Sequence, residues 1–167
     1  MPVTPDQLAR FLATLGIAVE TIDHPPVYTV EEARSLRVKI PGGHTKNLFL
    51  KDKKDSLFLL VALEDATIDL KRVHILIGAQ GRLSFGSAAL LESVWGVKPC
   101  SVTPFGAIND EARLVKVVLE GTMMALVRLN FHPLVNTRTT SLASADLIRF
   151  LRSTGHEPEI VNFAASE

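Results

Sequence analysis

The strongest constraint on the fold is a pair of short apolar segments joined by a polar turn. Lys46-Asn47-Leu48-Phe49-Leu50 leads into Lys51 to Asp55, and Leu57 to Ala62 follows. The two runs have strand length, and the short polar connection predicts that they pair as adjacent strands. The rest of the chain must then cover this hairpin.

Helical signals flank it. Thr4-Pro5-Asp6-Gln7 is a capping box with proline at the first helical position, and Leu8, Phe11, Leu12 and Leu15 repeat at helical spacing before Gly16. Ile17, Val19 and Thr21 alternate as in a strand, and Pro25-Pro26 forces an extended turn. Thr29-Val30-Glu31-Glu32 reads as a second capping box, opening a helix towards Val38. Pro41-Gly42-Gly43 reads as a flexible loop. Asp69 is expected to cap a helix carrying Leu70, Val73 and Ile77, and Ser87 one carrying Leu90, Leu91, Val94 and Trp95 before Gly96. Pro99 to Phe105 is expected to be a loop. Leu114 to Leu119 reads as a strand, and so does the alternation Val127, Leu129, Phe131. A helix is expected from Ser144 to Ser153, with a closing strand at Ile160-Val161. Adjacent strands joined by short turns favour a mixed sheet over a doubly wound parallel one. The expected class is α+β: one domain over 1–167, a mixed and mostly antiparallel sheet surrounded by helices.

Composition narrows the function. At 167 residues, with 47% hydrophobic and 22% charged residues, the chain can bury one core. Lys plus Arg and Asp plus Glu are 18 each, which excludes a generally basic nucleic-acid coat but not a local patch. One cysteine, Cys100, excludes an internal disulfide and a Cys-rich zinc site, and fits a reducing compartment. The start MPVTPDQLARF lacks a secretory pattern, and runs such as Leu57 to Leu63 fall short of the roughly 18 residues that a membrane span needs. A cytoplasmic protein without a membrane partner is expected. No P-loop, G-x-S-x-G, H-E-x-x-H or C-x-x-C occurs, and the five histidines lack metal-ligand spacing. No metal or cofactor is expected.

Residues 31–54 carry seven basic against three acidic side chains. This is either a solvated face or an electrostatic footprint for phosphates. Lys46, between a Gly-rich loop and an apolar strand, is placed to meet an anion. His132, at the end of a strand, is structural or the best free acid–base group. Cys100 is a nucleophile only if a base adjoins it, and none is evident.

Four segments occur together: His24-Pro25-Pro26-Val27-Tyr28-Thr29-Val30-Glu31-Glu32-Ala33, Gly43 to Asp52 with its K-N-L-F-L-K-D run, Ser101-Val102-Thr103-Pro104-Phe105, and Asn130-Phe131-His132-Pro133-Leu134-Val135-Asn136. In this order the chain resembles the YbaK/prolyl-tRNA-synthetase-associated family over nearly its whole length, and within it the free-standing prolyl-tRNA editing domains. The resemblance implies a trans-editing hydrolase of alanyl-tRNA(Pro). Proline exceeds alanine by roughly two methylenes, about 1.6 kcal/mol of burial, or about 15-fold. Because alanine is the smaller, a second pocket must reject proline by size.

The resemblance makes Lys46 the catalytic-site lysine, with Asn47 orienting substrate and His132 bordering the pocket. It makes Cys100 to Pro104 the counterpart of a G-x-x-x-P loop whose backbone N–H groups face the ester, so Cys100, Ser101, Val102, Thr103 and Pro104 are expected at the substrate. Cys100 stands where that loop has glycine. Thr45, Val27, Val30, Phe131 and Asn136 are further expected substrate contacts. Water is the expected nucleophile, helped by the terminal ribose hydroxyl. Expected partners are mischarged tRNA(Pro) and, transiently, prolyl-tRNA synthetase. The alternatives are a deacylase of cysteinyl-tRNA(Pro) or of seryl- or threonyl-tRNA, a non-catalytic module binding tRNA or a synthetase, and a small-molecule binder.

Overall fold

The computed structural model describes residues 1–163. Six helices are α1 (Pro5–Thr14), α2 (Val30–Lys39), α3 (Val73–Ile77), α4 (Ala88–Trp95), α5 (Gly121–Met124) and α6 (Ser144–Ser153). Eight strands are β1 (Val19–Asp23), β2 (Gly43–Lys51), β3 (Leu57–Leu63), β4 (Ser84–Phe85), β5 (Val115–Glu120), β6 (Arg128–Phe131), β7 (Arg138–Ala143) and β8 (Glu159–Val161). The strands form one sheet in the order β1-β7-β6-β2-β3-β5-β8, with β4 added beside β2. The pairs β1/β7, β6/β7, β2/β3 and β2/β4 are antiparallel; β2/β6, β3/β5 and β5/β8 are parallel. This is the expected mixed α+β sheet.

The hairpin is its centre. Leu48 faces Leu60 and Phe49 faces Leu59 across β2 and β3. β3 is buried on both faces because apolar layers cover each side. Leu57, Leu59 and Val61 join a core with Leu8, Leu12, Trp95, Phe105 and Phe150. Phe58, Leu60 and Ala62 point the other way, to Val73, Ile77 and Leu83.

Local chemistry explains the helix ends. The Thr4–Gln7 box is complete, and Pro5 is the first helical residue. Ser87 caps α4, and Gly96, at φ +72°, ends it in the left-handed region that favours glycine. At α2 the box is half made. Thr29 accepts from Glu32 N, but the Glu32 carboxylate takes the N–H of Tyr28 rather than that of Thr29. Asp69 does not cap a helix. It accepts from Lys71 N in a turn, and α3 starts only at Val73. The expected loop at 99–105 is wound into two 3-10 turns, Pro99–Ser101 and Pro104–Asn109. Gly43 is already strand rather than loop. Strands β4 and β7 and helix α5 stand outside the expectations above.

Candidate active site at the split between two strands

Strand β2 meets β6 over only two residue pairs, Gly43↔Leu129 and His44↔Asn130, and then takes β4 at Leu50 and Lys51. On that side the stretch between is left without a strand partner. The gap is a cavity of about 120 Å³ lined by β2, the β6 end, Thr139 of β7 and the α2 side chains Ala33, Leu36 and Arg37. A crevice where neighbouring strands part is a usual place for a ligand.

Five expected residues meet there: Thr45, Asn47, Phe131, His132 and Val27. The Thr45 hydroxyl donates to the Asn130 carbonyl at 2.8 Å, which ties the two strands where they part. The Asn130 amide donates to the Pro41 and Gly43 carbonyls at 3.1 and 3.2 Å. The carbonyl oxygens of the Asn47 and Asn130 side chains are both buried without a hydrogen-bond partner. An orphaned acceptor costs about 1–3 kcal/mol, so two at one cavity point to a donor-bearing ligand.

His132 adds a third acceptor. Its Nδ1 lies 3.0 Å from the Arg138 carbonyl, which only accepts, so Nδ1 carries the proton and Nε2 keeps a lone pair. Burial pushes the His132 pKa below its ordinary value; His24 adds to this, and the Arg138 hydrogen bond opposes it. The rings of His24 and His132 are 6.3 Å apart. His24 Nε2 contacts the buried Thr139 hydroxyl at 2.7 Å. At the rim Arg37 Nε lies 3.1 Å from Glu64 Oε2.

The remaining expected residues lie elsewhere. Lys46 pairs with Ala62 and alternates to the opposite side of β2 from Thr45 and Asn47, where its ammonium donates to the Ala66 carbonyl. Val30 opens α2, and its side chain lies outside the described residues. Asn136 sits in the turn before β7 and is not part of the cavity wall. Nor are Cys100, Ser101, Val102, Thr103 and Pro104. The Thr103 carbonyl instead accepts from the Trp95 indole at 2.6 Å, and the loop approaches the site through Phe105, whose ring is 6.0 Å from that of Phe131. Cys100 is exposed, and its φ is not positive, so a side chain is accommodated there without backbone strain.

His44, Asn130, Thr139, Ala33, Leu36, Arg37 and Glu64 also line the cavity. His44 and Asn130 stand inside quoted segments; for Asn130 the available signal was a polar residue between the apolar strand positions Leu129 and Phe131. Thr139 had none, because β7 was not foreseen. Among the described residues no group of three or more His, Cys, Asp or Glu is placed to hold a metal, and no helix is long and apolar enough to cross a membrane.

The model of the aminoacyl-tRNA editing domain matches residues 24–150, which span the cavity. The chain belongs to that family. The editing domain is 38% identical over 161 residues to prolyl-tRNA synthetase associated domain-containing protein 1 of Bos taurus, covering 93% of both chains. It is 35% identical over 146 residues to the prolyl-tRNA editing protein ProX of Acetoanaerobium sticklandii, covering 87% of this chain and 88% of that one. A crystal structure assigned as a candidate trans-editing enzyme for prolyl tRNA synthetase matches with a TM-score of 0.70 at 15% identity, over 95% and 96% of the two chains. That likeness shows a shared fold. The editing domain thus belongs with prolyl-tRNA trans-editing proteins, and the expected family and fold are both met.

Proposed function

We propose that the whole chain acts as one editing domain that hydrolyses the ester of alanyl-tRNA(Pro) and spares prolyl-tRNA(Pro). The observation that carries this reading is the small cavity walled by Val27, Ala33, Leu36 and Phe131, with unpartnered acceptors at its polar edge. At about 120 Å³ it is smaller than the ~150 Å³ void that admits benzene. It suits a methyl group better than a pyrrolidine ring.

In this reading the α-ammonium of the aminoacyl group meets the free carbonyl oxygens of Asn47 and Asn130. His132, neutral and proton-bearing at Nδ1, accepts at Nε2 from the attacking water or the terminal ribose hydroxyl. Lys46 has used one of three N–H donors at Ala66. The other two serve to hold a terminal phosphate, on the far side of β2 from the acyl group. The partner is the mischarged tRNA, and contact with prolyl-tRNA synthetase is transient, in the reducing cytoplasm.

Deacylation of alanyl-, prolyl- and cysteinyl-tRNA(Pro) by the purified protein tests this. Fast loss of alanine with proline spared is expected. Preferential loss of cysteine moves the specificity, and tRNA binding without hydrolysis of any of the three makes the chain a binding module. Lys46→Ala is expected to abolish turnover in a folded protein; unchanged turnover removes the lysine from the mechanism.

A further inference from the structure

Two more atoms in the cavity wall are buried without a hydrogen bond, Arg37 Nε and Glu64 Oε2. They lie 3.1 Å apart, which is ion-pair distance. The Arg37 N–H is not aimed at that oxygen, so charge alone holds the pair. The two backbones are placed independently. Arg37 stands one helical turn after Ala33 on α2, on the face that reaches the cavity. Glu64 follows β3, where its N–H donates to the His44 carbonyl at 2.9 Å. The side chains are 36% and 33% exposed, so either can change partner without opening the core.

Three acceptor oxygens without a hydrogen-bond donor therefore belong to the wall of one small cavity: Asn47 Oδ1, Asn130 Oδ1 and Glu64 Oε2. Asn130, 3% exposed, cannot turn its amide round to relieve this, because its nitrogen donates to the Pro41 and Gly43 carbonyls. Two neutral carbonyl oxygens and a carboxylate call for a cation with several N–H donors. Arg37 answers the charge of Glu64 but satisfies none of the three acceptors. A primary ammonium carries three donors on one compact nitrogen and can answer both demands.

We propose that Glu64 is the anionic member of the α-ammonium site and that Arg37 competes with the substrate for it. The proposal rests on the aminoacyl-tRNA reading above and names its substrate class, esters whose acyl group carries a free α-ammonium. On binding, the ammonium takes the Glu64 carboxylate together with the Asn47 and Asn130 oxygens, and the Arg37 guanidinium turns out to solvent. An ester with a hydroxyl in place of the ammonium brings one donor and no charge. It leaves acceptors unmet and does not displace Arg37. Glu64 is thus a binding residue, and Arg37 sets how readily the site is entered.

The test compares alanyl-tRNA(Pro) with lactyl-tRNA(Pro), which keeps the methyl group and replaces the ammonium by a hydroxyl. Glu64→Gln is expected to raise KM for the alanyl ester about tenfold, the loss of one charge-assisted contact, with the lactyl ester within about twofold. Arg37→Met keeps the stem and removes the competitor, so KM for the alanyl ester should fall about twofold or more while the lactyl ester is unmoved. A merely structural pair would move both esters together in both variants. Equal effects on the two esters, or an unchanged alanyl KM in Glu64→Gln, overturn the proposal. So does Arg37→Met raising the alanyl KM. If the wild type hydrolyses neither ester, the functional reading fails and the ammonium site is judged separately. Calorimetry with 3′-alanylamino-3′-deoxyadenosine and its lactyl counterpart then decides. Alanyl binding weakened in Glu64→Gln and tightened in Arg37→Met, with lactyl binding unmoved, supports the site. Equal affinities in the three proteins, or no binding of the alanyl compound, refute it.

Discussion

Two buried polar clusters in this molecule differ in one respect. Around His156 every partner is present. Asp110 accepts from Leu114 N and Val115 N at 3.0 Å and from His156 Nε2 at 2.9 Å, and His156 Nδ1 meets the Thr154 hydroxyl at 3.0 Å. The ring stands edge-on to Trp95 at 5.8 Å. At the cavity, by contrast, the Asn47 and Asn130 side-chain oxygens have no partner, and His132 bonds through one ring nitrogen only. A closed network holds a fold together, whereas an open one beside a cavity awaits something.

The largest expected effect breaks the closed cluster. His156→Ala leaves Asp110 buried beside a void and should cost about 3–5 kcal/mol, read by denaturant unfolding. Turnover per folded molecule should not change; if activity falls while stability holds, the contrast between the clusters collapses. His132→Asn should do the reverse. Loss of a catalytic acceptor is expected to lower kcat/KM about 10²-fold or more. Loss of one hydrogen bond, to the Arg138 carbonyl, should cost about 1 kcal/mol of stability.

A pH profile sharpens this second prediction. Because its native pKa is lowered, His132 stays neutral to a lower pH than an unperturbed imidazole. The acid limb of kcat/KM should therefore lie below about 6.5 and vanish in the asparagine variant. The stability this residue contributes is full above about 6.5 and is lost as pH falls towards its native value.

The Asp52 carboxylate gives a smaller effect of the same sign at lower pH. Burial works to raise its pKa, but the N–H donors of Gln80, Ser56 and Lys54 outweigh it and leave a net lowering. Its stabilisation is complete above the unfolded value, about 3.9, and disappears as pH falls through the native one. Asp52→Ala should cost about 1–3 kcal/mol at neutral pH and flatten that acid loss. An unaltered acid transition in the variant assigns the loss to other carboxylates.

Sequence reading succeeded where structure is local. The α1 capping box, Ser87 and Gly96 around α4, and α6 at Ser144–Ser153 depend on neighbours within a few residues. It failed where partners are distant. Arg138-Thr139-Thr140-Ser141-Leu142-Ala143 shows little apolar alternation, yet it is a strand because β1 and β6 flank it and its hydroxyls find partners, such as Thr21 with Thr140 at 2.8 Å. Thr139 was unreadable for that reason. Asn47 and His132 could be named from the resemblance, but the cavity that joins them exists only because β2 and β6 part. The separation of Lys46 from Asn47 was legible in the two-residue period of a strand, which sends adjacent side chains to opposite faces.

The smallest expected effect concerns Cys100, which stands where the resemblance expects glycine. A glycine required for a left-handed backbone would make any other residue costly there. Here the Pro99–Ser101 turn is a 3-10 turn without positive φ, and the thiol is exposed beside the Ser101 hydroxyl at 3.7 Å. Cys100→Gly therefore relieves no strain and chiefly loosens the unfolded chain, a destabilisation of about 0.5–1 kcal/mol. Alanyl-tRNA turnover should stay within about twofold. A large gain would mean that the side chain obstructs the approaching ester, and complete loss would bring the thiol into the chemistry. Either result would carry the reactive end of the substrate to the Cys100 loop and away from the split between β2 and β6.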